Sequence, residues 1–156
     1  MHINELFHPA RIACRQSISS KKRSLEILSR LLADSTPDLT EGEVFDSLIG
    51  RERLGSTGLG KGVALPHGRI NGLTKPLGAL LTLEQGVDFD AIDKQPVDLL
   101  FALLVPEEST DEHLQILALL AKLFSQASIC QQLRASQDPD SCYEILNHQE
   151  PHSLSA

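Results

Sequence analysis

The chain has 156 residues, of which 41% are hydrophobic, enough for one compact domain with a buried core. Its net charge of -7 argues against nucleic-acid binding, because proteins that bind nucleic acids carry basic surfaces that neutralise phosphates. The N-terminal residues lack the basic and apolar regions of a signal peptide, and the longest apolar run, 99–105, is far shorter than the roughly 18 residues of a membrane span. We therefore expect a cytoplasmic protein without a nucleic-acid partner or membrane insertion.

Two helices are predicted in the first third of the chain. In 21–34, leucines at 25, 28, 31 and 32 recur at helical spacing behind Ser20, a good N-cap residue. In the second helix Thr40 and Glu43 have the spacing of a capping box, and Gly50 is the predicted end. Val44, Phe45, Leu48 and Ile49 are its predicted buried stripe.

Two apolar runs, 78–84 and 96–105, are predicted to be strands. The second run is apolar almost throughout, which is typical of a strand covered on both faces. A helix follows it, for which Ser109 and Glu112 form a possible capping box. Both sides of this helix carry apolar residues, so we expect it to be deeply packed.

Shorter helices are predicted at 128–135 and 139–147. Helices that interleave with buried strands indicate an α/β sandwich. We expect a single domain over 1–150, followed by a disordered tail at 151–156.

Cysteines and histidines show no metal-binding or disulfide pattern. The three cysteines leave an odd count and form no CxxC pair. The six histidines are scattered, without an HExxH motif. We therefore expect no metal and no cofactor.

The glycine-rich segment 55–68 does not fit the common nucleotide-binding motifs. Its first seven residues have P-loop spacing, but Gly62 stands where a magnesium-binding Ser or Thr is required. Val63 stands where a dinucleotide fingerprint needs its third glycine. The chain also has no GxSxG elbow, so a hydrolase of that kind is not supported.

His67 lies between Pro66 and Gly68, which predicts a loop with constrained, open backbone. Such a loop can present a reactive imidazole, although a structural histidine is an equally good interpretation of the local pattern. Around it we expect a mostly neutral or apolar rim.

This region resembles the active-site signature of phosphotransferase-system enzyme IIA domains of the fructose and mannitol type, and the likeness extends over nearly the whole chain. The chain is most similar to the nitrogen-regulatory branch of that family. Nine positions match the signature: Glu52, Leu59, Gly60, Val63, Ala64, Leu65, Pro66, His67 and Gly68.

The resemblance implies a central mixed β-sheet flanked by helices, with His67 as the phosphoryl acceptor through Nε2. It implies an HPr-like phosphocarrier (NPr) as donor, and regulatory protein targets such as potassium-transport or sensor proteins. Arg51 stands where the family has an active-site arginine, which would stabilise the phosphoryl group. His113 corresponds to the family's second histidine, which would orient His67 or donate a hydrogen bond to the phosphoryl group.

Three functions remain open at this point. The first is a regulatory phosphocarrier whose phosphorylation state selects its protein targets. The second is a fructose or mannitol relay subunit that passes phosphate to a IIB domain. A third makes His67 and His113 metal ligands, which would need a carboxylate to complete the site.

Overall fold

The computed structural model describes residues 3–148, so the predicted tail lies outside the described residues. Two short 3-10 helices, Ile3–Glu5 and Pro9–Arg11, precede the first strand. The strands are β1 (Ile12–Gln16), β2 (Gly58–Gly60), β3 (Val63–Ala64), β4 (His67–Ile70), β5 (Leu77–Val87) and β6 (Val97–Pro106). The helices are α1 (Lys21–Asp34), α2 (Glu41–Glu52), α3 (Asp111–Leu123), α4 (Ala127–Ala135) and α5 (Pro139–Asn147).

The six strands form one mixed sheet in the order β1-β5-β6-β3-β2, and β4 also pairs with β6. β1 runs parallel to β5, and both β3 and β4 run parallel to β6. The central pair, β5 and β6, is antiparallel. The predicted mixed sheet flanked by helices is therefore confirmed.

Side chains along β6 alternate between two separate cores. Leu99, Phe101, Leu103 and Val105 belong to a core with α3, α4 and α5. Leu100, Ala102 and Leu104 belong to a second core with α1 and α2. Because successive strand residues point to opposite faces, a nearly continuous apolar run covers both faces, as the sequence predicted.

The two predicted N-terminal helices are confirmed. Ser20 accepts a hydrogen bond from the backbone N–H of Arg23, and Thr40 and Glu43 form a complete capping box. The predicted end of α2 at Gly50 is wrong, because the helix continues to Glu52 and thereby places Arg51 in its last turn. An exposed glycine costs a helix only about 1 kcal/mol, which packing of the other side chains overcomes.

The predicted cap of α3 is wrong. The helix begins after Thr110, whose side chain makes no capping hydrogen bond. The Ser109 N–H donates to the Pro106 carbonyl, so it is not available to a Glu112 side chain as a capping box requires. The expectation of a deeply packed helix holds on one face only. His113, Ile116, Leu120 and Leu123 are buried there, whereas Leu114 is 64% exposed.

A break at Leu65 and Pro66 separates β3 from β4. The two strands pair with β6 in the same register on either side of the break. Proline has no N–H to donate to the ladder. The carbonyl of Pro66 still accepts a hydrogen bond from the Leu103 N–H of β6 at 2.9 Å, and the N–H of Leu65 donates to the Thr57 carbonyl at 3.0 Å. His67 therefore stands at the start of a paired strand, which corrects the prediction of an open loop.

Gly68 is required by close packing against α2. Its φ is not in the left-handed region, so backbone conformation is not the reason for a glycine there. A Cβ at Gly68 would overlap the Oγ of Ser47 and lie 3.1 Å from the Ser47 carbonyl oxygen. The glycine thus lets α2 approach β4 next to His67.

Within 3–148 no single helix is long and apolar enough to cross a membrane. Helices α3 and α4 together have sufficient length and apolar content, but an 81° bend separates them.

We expect Gly68→Ala to lower the free energy of unfolding by about 1–3 kcal/mol, the usual cost of overpacking. Gly50→Ala is the control, since nothing lies within 4 Å of a Cβ there, and it should stabilise the protein by about 0.5–1 kcal/mol. Urea denaturation measures both changes. Equal effects of the two substitutions would contradict the packing explanation.

Candidate active site

The imidazole of His67 is held by a hydrogen bond to the backbone in the break between β3 and β4. Its Nδ1 lies 2.9 Å from the carbonyl oxygen of Leu65. A carbonyl only accepts hydrogen bonds, so Nδ1 carries the proton and Nε2 keeps its lone pair. Burial lowers the pKa of His67 below its usual value of 6.5, and the Arg51 charge acts in the same direction. The ring is therefore neutral at pH 7, with Nε2 as its nucleophilic atom.

His113 lies against His67 from the first turn of α3. The two ring centroids are 5.5 Å apart, in an edge-to-face arrangement. The Nε–H of Arg69 donates to Nδ1 of His113 at 3.3 Å, so the proton of His113 is on Nε2. Burial lowers the pKa of His113, repulsion from His67 when that ring is protonated lowers it further, and the Arg69 charge acts in the same direction. The two histidines thus form a neutral pair with opposite tautomers.

The Nε2–H of His113 is a buried donor. It has no hydrogen-bond partner among residues 3–148, and the side chain is only 7% exposed. An unused buried donor costs about 1–3 kcal/mol, and such groups are rare outside functional sites. The site therefore holds an N–H that an incoming acceptor oxygen could satisfy.

Arg51 and His67 line the same open pocket of about 340 Å³. The guanidinium is partly exposed and donates through Nη1 to the Gly55 carbonyl at 2.9 Å. Arg51 lies in the last turn of α2. It reaches the pocket from the face of the sheet that lies opposite the face covered by α3. The pocket thus combines one neutral nucleophile with one permanent cation.

Glu52, the acidic position of the signature, is a buried structural carboxylate. It accepts hydrogen bonds from the N–H and hydroxyl of Thr57 at 2.8 and 2.6 Å. Lys21 pairs with it at 3.0 Å and also lies 4.6 Å from the centre of the Phe89 ring. This network fixes the segment that carries the pocket wall.

Three further polar residues of the glycine-rich segment, Ser56, Thr57 and Lys61, differ in their position relative to the pocket. Ser56 and Thr57 line the pocket, but their hydroxyls already donate to Phe89 and Glu52. Lys61 is outside the pocket lining, in a tight turn where it has a φ of 57° between two glycines of positive φ. None of the three is therefore a free phosphate ligand in this arrangement.

An apolar stripe on α3 flanks His67. Leu114, Leu117, Ala118 and Ala121 share one helical face by their spacing, and the last three line the pocket. Leu59, which is 48% exposed, lies on the segment that forms another wall of the pocket. The α3 stripe and Leu59 agree with the predicted apolar rim.

A metal centre finds no support in the part of the chain that the structure describes. No group of three or more His, Cys, Asp or Glu side chains there could hold an ion. The two histidines therefore have no carboxylate positioned to complete a zinc site with them.

The family described as phosphoenolpyruvate-dependent sugar phosphotransferase system, EIIA 2, matches residues 5–149. The chain belongs to this family. As an EIIA protein it is a component of a phosphotransferase system.

Similar proteins carry nitrogen-regulatory names. The chain is 40% identical over 146 residues to the nitrogen regulatory protein of Pseudomonas aeruginosa, covering 94% of this chain and 95% of that one. The Escherichia coli nitrogen regulatory protein is 45% identical over 142 residues, covering 90% and 84%. The crystal structure of the nitrogen regulatory protein IIA-Ntr from Neisseria meningitidis superposes with a TM-score of 0.86 at 43% identity, covering 92% and 98%. These likenesses confirm the family resemblance.

Arg69 is the residue of this EIIA site that the sequence analysis missed. It follows His67 by two positions on β4, so both side chains leave the same face of the sheet. Had the four-residue strand been recognised, this alternation would have indicated Arg69 as a neighbour of His67. Its hydrogen bond to His113 makes it the group that sets the His113 tautomer.

We expect the two histidines to show opposite tautomers by ¹⁵N NMR of the ring nitrogens at pH 7, protonated at Nδ1 in His67 and at Nε2 in His113. Both pKa values lie below 6.5, so ring protonation should appear only on acidification below that pH. Arg69→Gln should give a mixture of the two His113 tautomers and leave the tautomer of His67 unchanged. The exposed Arg53→Gln is the control. Matching tautomers would contradict this site geometry.

Proposed function

We propose that this EIIA protein is a cytoplasmic regulatory phosphocarrier of a nitrogen phosphotransferase system. His67 accepts a phosphoryl group from an HPr-like phosphocarrier (NPr), and the phosphorylation state then decides which protein targets are bound. The observation that carries the proposal is the neutral His67 ring with its free Nε2 lone pair, placed beside the unpartnered Nε2–H of His113.

In the transfer step, a bond forms between phosphorus and Nε2 of His67 while the phosphorus–nitrogen bond of the donor's phosphohistidine breaks. The electron pair of the broken bond returns to the donor ring. As Nε2 forms its bond, positive charge develops on the imidazole. The Leu65 carbonyl, already bonded to Nδ1–H, stabilises that charge.

Charge on the equatorial phosphoryl oxygens is stabilised by two donors. The Nε2–H of His113 would give one oxygen a hydrogen bond, which satisfies a donor that is otherwise buried without a partner. Arg51 supplies a full positive charge from the pocket. Arg69 acts through His113 by keeping its proton on Nε2, and is a positioning residue.

The apolar rim around His67 is suited to protein partners. The α3 stripe with Leu59 offers a contact surface for a carrier that delivers its phosphohistidine into the pocket. Phosphorylation would place close to two negative charges in this apolar surface. Partners that bind the neutral form would then be repelled. The nitrogen-regulatory names of the relatives support regulation over sugar transport.

The proposal is tested by intact-mass measurement after incubation with phosphoenolpyruvate, a nitrogen-branch enzyme I and its phosphocarrier. A parallel incubation uses the sugar-branch carrier and a IIB domain. We expect one acid-labile phosphate, supplied mainly by the nitrogen-branch carrier and absent in His67→Ala. Preferential labelling by the sugar-branch carrier with onward transfer to IIB would overturn the regulatory assignment.

Two further variants separate the roles of the neighbours in the same assay. Arg51→Lys keeps a charge but loses the planar fork, so transfer should slow by roughly 10-fold with the final yield unchanged. His113→Gln should slow it further, because the positioned ring donor is lost. Arg53→Gln serves as control. Unchanged rates in Arg51→Lys would remove Arg51 from the mechanism.

A further inference from the structure

Two of the three thiols meet far from His67. Cys14 lies on β1 and Cys142 on α5, and their sulfur atoms are 3.3 Å apart. β1 is the edge strand at the opposite end of the sheet from β2 and β3. The contact joins residues 128 positions apart, so only the folded chain brings these thiols together.

The surroundings of the two thiols are unequal. Cys142 is fully buried in the core formed with α3, α4 and α5, whereas Cys14 is half-buried at its margin. The third cysteine, Cys130, is buried elsewhere, with its Sγ 3.1 Å from the Phe124 carbonyl oxygen. Only Cys14 of the pair is therefore accessible to a reagent, and Cys142 is positioned behind it.

We propose that Cys14 and Cys142 form a dithiol modification site that low-molecular-weight disulfides such as oxidised glutathione convert to an intrachain disulfide. A disulfide bond is about 2.05 Å long, so closure requires the sulfurs to approach by little more than about 1 Å. A change of that size is within reach of side-chain rotation on β1 and α5.

The reaction has two exchange steps. The Cys14 thiolate attacks one sulfur of the glutathione disulfide, which forms a mixed disulfide and releases one glutathione thiolate. The Cys142 thiolate then attacks the Cys14 sulfur and displaces the second glutathione. The protein thiols lose two protons and two electrons in total, and oxidised glutathione is reduced to two glutathione molecules.

The order and rate of the two exchange steps follow from the surroundings of the two thiols. Burial raises the pKa of both thiols, and that of Cys142 rises to about 12 because burial is reinforced by the contact with Cys14. The Asp138 carboxylate raises both further. Since the thiolate is the attacking species, the exchange is slow at neutral pH and begins at Cys14. The site thus suits sustained exposure to disulfides better than rapid peroxide sensing.

The cross-link would tie the N-terminal edge strand to the last helix. A bond that closes so long a loop restricts the unfolded chain and stabilises the folded one. His67 lies on the other side of the central β5–β6 pair, so the phosphorylation site itself should be unchanged.

The experiment treats the reduced full chain with oxidised glutathione at pH 8 for several hours, alkylates the remaining thiols in denaturant so that buried thiols also react, and measures intact mass without reduction. We expect a monomer with one alkylated thiol, Cys130, and a mass two hydrogens lower before alkylation. Cys14→Ser and Cys142→Ser should each abolish this product. Cys130→Ser, the matched control, should form it normally.

The oxidised protein should also melt at a temperature roughly 5 °C or more higher than the reduced protein, and dithiothreitol should reverse the shift. If Cys142→Ser fails to fold, the test depends on Cys14→Ser, provided that this variant melts at the same temperature as the reduced wild-type protein. A persistent glutathione adduct on Cys14 with Cys142 still open to alkylation would overturn the proposal. Disulfide-linked dimers, or the absence of any reaction with oxidised glutathione, would also overturn it.

Discussion

The hydrogen bond from Nδ1 of His67 to the Leu65 carbonyl organises the candidate site. Leu65 and Pro66 form the break between β3 and β4, and the Leu65 carbonyl in that break accepts the bond. The same bond places the proton on Nδ1 and the lone pair on Nε2. Because β3 and β4 pair with β6 in the same register, the position of the ring along the sheet is fixed. A short backbone irregularity thus determines both where the imidazole stands and which atom can react.

Burial and charge act together on the neighbouring histidine. His113 is kept neutral by burial, and the Arg69 guanidinium holds its proton on Nε2. Helix α3 begins after Thr110, and its first turn places the His113 ring 5.5 Å from the His67 ring. Two weakly basic rings with complementary nitrogens are suited to accept and hold a phosphoryl group.

The long elements of the fold could be predicted from the sequence, because their signals are local. Ser20, Thr40 and Glu43 mark helix starts through their own hydrogen bonds, and the apolar run of β6 needs only burial on two faces. The strands β2, β3 and β4 have two to four residues and contain or adjoin glycines, so their pairing depends on β6 and leaves no periodicity to read.

The residues of the site could be predicted only through the resemblance to the family. His67, His113 and Arg51 were candidates through that resemblance, and the structure brings all three to one end of the sheet. Arg69 and the Cys14–Cys142 contact depend on tertiary proximity between distant segments, which no local pattern encodes. The exposure of Leu114 could not be predicted either, because the sequence of a helix with two apolar faces does not show which face packs against the core.

The central claim is that Nε2 of His67 receives the phosphoryl group while Nε2–H of His113 holds it. The most direct measurement is ³¹P–¹⁵N correlation NMR of the phosphorylated, ¹⁵N-histidine-labelled protein, which identifies the nitrogen bonded to phosphorus. The account predicts coupling to Nε2 of His67, together with a downfield shift of the His113 Nε2 proton on hydrogen bonding. Coupling to Nδ1 of His67, or to either nitrogen of His113, would contradict it.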